Sequence, residues 1–456
     1  MRNANDIRNI DNHKYLTEKH GKFFCASPWN SLHEGPQGLV STCCKSRQPI
    51  GWSGKQNFEE MFNSDLSKEI RASILQGKMH SNCESCAIQE KDGHAASNRV
   101  HGNSMTDRAV VDELVANTDV DGTLHVHKPE WLDLLWTNKC NFSCLGCSPE
   151  LSSSINNNYK KEFALLNGND PDEYFKDMTN WNNGNDNKID YIIKHSDTIR
   201  SLHLNGGEPW MQEATYELLE EMLKRGLNKH IQVWSHTNGS ITKSYKGVDI
   251  IDEYLVHWGD LCKITISNDG HGARGAYTRF GYKESKWLET YNRILDSGIK
   301  QVSIQTCWNV FNAQTITDTA EFFWDNCRSH KGEVYGSLTP WYNTMTTPLM
   351  LCYVRELRLK AVEQLEQLMQ NTQIPSAWGG DLKKYWDYLH RWEEIDSVYR
   401  LPNSNSALLN WYAGIQALDA KRKTNLCTTF PELEPLYELA ATETERQMDQ
   451  THCRIS

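Results

Sequence analysis

Three cysteines within eight positions constrain this chain more than anything else in it. The stretch KCNFSCLGCSPE, residues 139–150, sets Cys140, Cys144 and Cys147 at the spacing C-x3-C-x2-C, directly after the apolar run EWLDLLWT (130–137). Three thiolates are too few to close a structural zinc site without a histidine, and the nearest one downstream, His195, is far along the chain. A 4Fe–4S cluster ordinarily takes four cysteines, so a three-cysteine loop leaves one iron for a ligand from outside the protein. A zinc knuckle or a set of reactive thiols is the alternative reading of the spacing alone.

Beyond the loop the chain alternates strand and helix signals. SLHLNGGEP (201–209) ends in glycines and leads into the helical WMQEATYELLEEMLKRG; IQVWSHTNG (231–239), CKITISNDG (262–270) and QVSIQTCWNV (301–310) are further strands, and GEVYGSLTP (332–340) is a weaker sixth. Helix-like stretches such as SKWLETYNRILDSG separate them. Strand and helix in this order predict an α/β fold whose parallel sheet carries helices outside it, and right-handed crossovers turn such a sheet toward a barrel or an open arc. Polar and glycine-rich residues collect at the C-terminal ends of the strands: Cys140 to Cys147, Asn205 to Glu208, His236 to Gly239, Ser267 to Gly270, and Gln305 to Asn309. In parallel α/β architectures that edge carries the chemistry.

At 456 residues the chain is long enough for two or three cores. No apolar run approaches the ~18 residues of a membrane span, and MRNANDIRNIDNHKY has no signal-peptide core; the expectation is a cytoplasmic protein with no membrane partner. Net charge is −11 with the basic residues scattered, which argues against nucleic acid. Without an export signal, 14 cysteines argue for metal binding or catalysis over disulfides. Cys262, Cys307, Cys327, Cys352, Cys427 and Cys453 stand alone and read as small buried hydrophobes.

The cysteine loop after the first strand, with GGEP after the second, resembles the radical S-adenosylmethionine superfamily. The resemblance implies a partial (β/α)6 barrel. It implies a 4Fe–4S cluster on Cys140, Cys144 and Cys147 whose open iron takes S-adenosylmethionine, and a reductive cleavage to a 5′-deoxyadenosyl radical that abstracts hydrogen from substrate. Gly206 and Gly207 would let the cofactor approach the backbone, and Glu208, with Asn205 and Pro209 beside it, would receive the methionyl ammonium. By the same resemblance Ser267 and Asn268 are candidate cofactor contacts, to the ribose or carboxylate, with Gln305 and Asn309 weaker ones. The chain departs from the family at Gly146, where an aromatic residue ordinarily contacts adenine; Phe142 or the backbone would have to substitute.

A second constellation precedes the first strand. Cys25, twelve residues, Gly38, four residues and Cys43, followed by Cys83 and Cys86 in NCESCAIQEKDG, supply four thiols in two pairs, the arithmetic of a closed metal site. Zinc and iron–sulfur are not separated by spacing alone. Beside the first motif, the pattern resembles the SPASM and twitch modules that carry an auxiliary 4Fe–4S cluster, departing from their usual arrangement in that it precedes the barrel; the intervening NFEEMFNSDLSKEIRASILQGKMHSNCESC and the following EKDGHAASNR resemble phage and bacterial twitch-domain radical enzymes. Cys44 is a spare that competes with Cys43.

The expected organisation is an auxiliary module over 1–128, a barrel over 129–345 and a helical region over 346–456 that packs on it. The asparagine-rich insertion 155–190 reads as solvated, with a substrate lid as the lesser reading; Trp341 and Tyr342 are candidates to line a cavity, and Arg274 and Arg279 to grip an anionic substrate group or stand solvated. Only 24 residues precede Cys25, which argues against a leader-binding domain. The resemblance implies a peptide or protein substrate and an electron donor such as flavodoxin or ferredoxin. The alternatives are a sugar, nucleotide or amino acid substrate and, outside catalysis, a zinc-bound scaffold.

Overall fold

The computed structural model describes residues 10–91, 97–170, 186–328, 334, 336–340, 348–371, 379–390 and 404–455. Trp341, Tyr342 and stretch 171–185 of the asparagine-rich insertion lie outside them. Among the described residues the strands are, in chain order, β1 (Ser31–Glu34), β2 (Leu39–Ser41), β3 (Gly51–Trp52), β4 (Trp131–Leu135), β5 (Ser143–Cys144), β6 (Ser201–Asn205), β7 (Gln232–Thr237), β8 (Cys262–Ser267), β9 (Arg279–Phe280), β10 (Gln301–Trp308) and β11 (Gly336–Pro340). The six strands expected from sequence are β4, β6, β7, β8, β10 and β11. The chain divides into two compact units, one of Met1–Asn138, Trp181–His236 and Lys243–Lys263, the other of Lys139–Asn180, Thr237–Thr242 and Ile264–Ser456. Both mix helices with strands.

In the first unit the strand order is β7-β6-β4-β1-β2-β3. Strands β7, β6, β4 and β1 pair in parallel, and β2 and β3 continue the sheet antiparallel. The period-2 pattern explains the layering. Leu132, Leu134, Leu202, Leu204 and Val233 are buried on one face, each worth about 2 kcal/mol for the area it removes from water. The alternate residues Asp133, His203 and Trp234 face the other way and are half-buried.

Parallel strands require a crossover, and helix Glu213–Lys224 supplies the one between β6 and β7, with Tyr216, Leu218, Leu219 and Met222 buried. The sequence pattern starts this helix at Trp210. In the structure Pro209–Met211 is instead a short 3-10 turn capped by Glu208, and the helix is followed by Gly226 at φ +71°.

Strand β1 was not expected: SLHE is too short to show an alternation. It is held by a buried ion pair. Lys188 Nζ lies 2.7 Å from Glu34 Oε1, and Glu34 also accepts from Ser53 Oγ at 2.7 Å and Leu135 N at 3.3 Å. Burial pushes the Glu34 carboxyl up and the Lys188 ammonium down, so each charge depends on the other.

The second unit holds β8, β10 and β11 as neighbours, β10 and β11 parallel, and the small antiparallel pair β5–β9. Helix Glu284–Asp296 buries Trp287 and Tyr291, whose rings stack at 5.4 Å. The C-terminal helices Arg355–Gln370, Gly379–His390, Ser404–Arg422 and Glu434–Ile455 belong to this unit. Helix Ser404–Arg422 lies so close to helix Lys160–Leu166 that a Cβ on Gly414 would meet Leu166 Cα at 2.4 Å. Among the described residues no helix is long and apolar enough to cross a membrane.

Candidate functional site

The three-cysteine loop is braced on several sides. Cys144 pairs with Arg279 across β5–β9, and Leu145 N donates to Thr278 O at 2.8 Å. Cys140 N donates to Ser153 Oγ at 3.1 Å, Ser152 Oγ to Phe142 O at 2.7 Å, and Cys147 N to Cys144 O at 3.0 Å, which turns the chain between the last two thiols. Phe142 and Leu145 are buried while the three cysteines are half-buried. Phe142 packs against Gly281, where a Cβ would come within 2.7 Å of its ring.

Burial pushes the Cys144 thiol up, opposed by Arg279, and pushes Cys147 up to about 12 with help from Cys144. Metal ligation needs thiolates, so loading this loop releases protons. Two cations lie under it. Arg279 Nη1 stands 2.9 Å from Asp269 Oδ2, and Arg422 Nη2 donates to Ser143 O at 2.7 Å. Arg279 is therefore neither solvated nor free to grip a substrate, and Arg274 is paired with Glu432 Oε2 at 2.9 Å.

Cys307, alone in the sequence and expected there as a small buried hydrophobe, is half-buried; it interacts electrostatically with Cys144 and Cys147, and its backbone N donates to Asp269 Oδ1 at 2.8 Å. Its half-buried position on the alternation of β10 is the signal that could have found it. The other residues named on this unit serve the loops. Asn268 is fully buried, donates to Tyr282 OH at 3.3 Å and accepts from Gly270 N at 2.8 Å; Asn309 donates to Cys307 O and accepts from Phe311 N, both at 2.9 Å. Ser267 O accepts from Trp287 Nε1 at 3.1 Å, and Gln305 O accepts from Asn268 N at 2.9 Å.

On the first unit, β6 runs into Gly206-Gly207-Glu208-Pro209. Gly206 has φ +135°, a backbone that side chains rarely adopt, and a Cβ there would sit 3.2 Å from Thr137 O. Gly207 N points at the same oxygen at 3.4 Å. Glu208 is fully buried, with Oε1 accepting from Trp210 N at 3.1 Å, and Trp210 Nε1 donates to Ser235 Oγ at 3.0 Å. The motif is thus a fixed bend, with its carboxylate locked as the cap of the next turn. Asn205, just before it, donates to Asp133.

The four N-terminal cysteines come together although the first and last, Cys25 and Cys86, lie 61 positions apart. Strands β1 and β2 form a hairpin whose turn places Gln37 at φ 59° and Gly38 at φ 77°, and this returns Cys43 toward Cys25. Cys83 closes the turn Ser81–Cys83 and Cys86 comes three residues later on helix Glu84–Lys91, on the same face. All four line one cleft with Thr42 and Arg99. Cys44 lies off the cleft, exposed, with Asn98 Nδ2 3.4 Å from its sulfur. Burial and then Cys43 push Cys25 up to about 12, and burial raises Cys83 and Cys86.

Among the described residues no three His, Cys, Asp or Glu side chains converge as ligands of a single ion. The thiols instead ring a space, and an all-thiol set of this kind is the donor chemistry of an iron–sulfur cluster.

Residues 132–257, which begin on β4 and contain Cys140, Cys144, Cys147 and GGEP, match the family described as a 4Fe-4S single cluster domain. No curated protein matches the chain. Among solved structures it is similar to anSMEcpe with bound AdoMet, at 13% identity and TM-score 0.37 over 54% of this chain and 62% of that one. It is similar to Streptococcus suis SuiB bound to S-adenosylmethionine, at 14% identity and TM-score 0.35 over 62% and 58%, and to SuiB bound to precursor peptide SuiA, at 13% identity and TM-score 0.35 over 67% and 65%. In each case the match spans less than two thirds of the solved chain. Fold and match together give an α/β chain in which a segment similar to a 4Fe-4S single cluster domain spans the first cysteine loop and the Gly-Gly-Glu-Pro strand end.

Proposed function

We propose that the chain is a radical S-adenosylmethionine enzyme that modifies a peptide or protein. The observation that carries this reading is a trio of thiols, not a quartet, inside a segment that matches a 4Fe–4S domain and also contains the Gly-Gly-Glu-Pro strand end. Cys140, Cys144 and Cys147 hold the cluster, with Arg279 and Arg422 offsetting the thiolate charge. Asn205, Gly206, Gly207, Glu208 and Pro209 bind S-adenosylmethionine, and Ser267, Asn268 and Gln305 contribute from the ends of β8 and β10. Bound together, cluster and S-adenosylmethionine supply a carbon radical able to abstract hydrogen from an unactivated carbon.

Cys25, Cys43, Cys83 and Cys86 hold an auxiliary 4Fe–4S cluster in the 1–128 module. Full ligation by protein suits electron transfer or structural support. A peptide or protein is the substrate class that an auxiliary module of this kind implies beside a radical S-adenosylmethionine core. A flavodoxin or ferredoxin supplies electrons in the cytoplasm.

Anaerobic purification tests the reading. Brown protein with about eight irons per chain, two cubanes of four, and 5′-deoxyadenosine formed on reduction support it. Colourless zinc protein that leaves S-adenosylmethionine intact overturns it.

A further inference from the structure

The first unit carries a row of polar side chains that no motif announces. Register places His33 of β1 opposite Asp133 of β4, Asp133 opposite His203 of β6, and His203 opposite Trp234 of β7, so four adjacent parallel strands present these residues side by side on one face. The opposite face is the leucine-rich core, where an ionisable row would have no place. This face is reachable: the side chains of His33, Asp133 and His203 keep 24%, 21% and 19% of their exposure.

The row is ordered. His33 Nδ1 lies 2.6 Å from Asp133 Oδ2; on the other side Asp133 Oδ1 accepts from Asn205 and stands 3.4 Å from His203 Nδ1. Trp234 stacks on His203 at 4.2 Å with an interplanar angle of 14°, Lys263 Nζ sits 3.8 Å from the Trp234 ring centroid, and His236 meets His203 edge-on at 4.7 Å. Burial pushes the Asp133 carboxyl up, but His203 and His33 outweigh it and hold Asp133 well below the usual carboxylate range. An anionic carboxylate only accepts, so His33 Nδ1 donates to it, and Nε2 has no hydrogen-bond partner among the described residues. Asn205, which donates to Asp133, immediately precedes Gly206, so the row's His203 lies two residues before the end of β6, which leads into the proposed cofactor motif.

We propose that His33 is the proton acceptor for a hydroxyl, thiol or amino group of the substrate, with Asp133 as its positioning residue. The inference rests on the enzyme reading above and adds to it a residue that touches substrate. The heteroatom–hydrogen bond of the substrate breaks, its electron pair stays on the heteroatom, and an N–H bond forms at His33 Nε2; no electron changes hands in this step. The imidazolium so formed faces an Asp133 that is already anionic, the geometry in which a carboxylate stabilises a protonated ring. The groups that surround the dyad are His203, His236, Asn205 and Lys263 on neighbouring strands, and Cys44, which interacts electrostatically with Asp133.

The test is 15N-histidine spectroscopy on the reconstituted full chain, with the His33 signals assigned by their loss in H33Q. His33 should show the Nδ1–H tautomer in the wild type, switch to the Nε2–H tautomer in D133N and recover in D133E. A merely structural carboxylate would not move this signature. N-acetylserinamide should shift the His33 signals and N-acetylalaninamide should not. An Nε2–H wild-type tautomer, an unchanged tautomer in D133N, or equal response to the two amides overturns the proposal. Formation of 5′-deoxyadenosine is read separately on the same wild-type protein. Its absence condemns the enzyme reading, whereas a cleaving protein with the wrong tautomer condemns the proton acceptor alone.

Discussion

The two cysteine constellations solve opposite problems. Cys25, Cys43, Cys83 and Cys86 come from a hairpin and a helix start, converge on one cleft and bring four thiols, enough to saturate a cluster. Cys140, Cys144 and Cys147 sit within one loop, tied by Ser152, Ser153 and Thr278, and bring three. Charge is handled alike at the two sites. Around the quartet, Arg99 is paired with Glu90, its Nε 3.0 Å from Oε1, and also interacts with Cys83 and Cys86. At the trio the half-buried Arg279 interacts with both Asp269 and Cys144. The proposed closed site is built from distant segments; the proposed site with a ligand position left for a cofactor is built on one short, braced loop.

The sharpest way to break this comparison is to remove one thiol from each. Cys144→Ala should take the iron content from about eight to about four per chain and abolish 5′-deoxyadenosine formation, with the N-terminal fold intact by far-ultraviolet circular dichroism. Cys83→Ala should remove a similar amount of iron but also unfold the surrounding module, because there metal binding and folding are coupled. Iron analysis with thermal unfolding of both variants decides. Equal loss of fold in the two would erase the distinction.

A second contrast sets the quartet's hairpin against its anchor. Glu34 and Lys188 form a buried pair under β1, whose hairpin carries Cys43. Lys188→Met leaves the Glu34 charge unpaired and should cost about 3–5 kcal/mol, whereas the double change to methionine at both positions should recover most of that. Urea denaturation of the two variants measures it, and a double variant as unstable as the single one would show that the pair does more than neutralise itself.

Legibility in the sequence depended on how far apart the signalling residues lie. Strands β4, β6, β7, β8, β10 and β11 were visible as apolar runs ending in glycine or polar residues, and the trio by its spacing. β1 was not, since four residues show no period and its partner β4 lies about a hundred positions away. The same distance hid the row His33–Asp133–His203, which exists only because register aligns three strands. Cys307 was lost for a similar reason: a single cysteine carries no spacing, and only the fold brings it near Cys144.

At the GGEP bend the expected effect is smaller. Gly206→Ala must hold a side chain at φ +135° with its Cβ 3.2 Å from Thr137 O, a strain of about 1–3 kcal/mol. Affinity for S-adenosylmethionine by calorimetry should fall more than thermal stability does. Gly298→Ala is the control, since it has φ +83° and nothing within 4 Å of a Cβ. If both substitutions weaken cofactor binding equally, the bend is not part of the site.

The smallest effect is in acid, and its sign differs among carboxylates of the first unit. Glu34 and Glu130 have folded pKa values raised, burial being the main cause, so they bind protons more tightly when folded. Their contribution is fully present below the unfolded value of about 4.3 and is lost as pH rises through their folded values. Asp133 has its value lowered, burial being outweighed by His203 and His33. Its contribution is present above about 3.9 and is lost as pH falls from there toward its folded value. Stability followed by denaturant titration should therefore rise slightly as the two glutamates protonate and fall once the solution passes below about pH 4, the unfolded aspartate value. Asp133→Asn should remove most of that acid limb and leave the rise. A variant that keeps the full acid limb would mean that the histidine row does not hold Asp133 ionised, and would withdraw the electrostatic basis for a proton acceptor at His33.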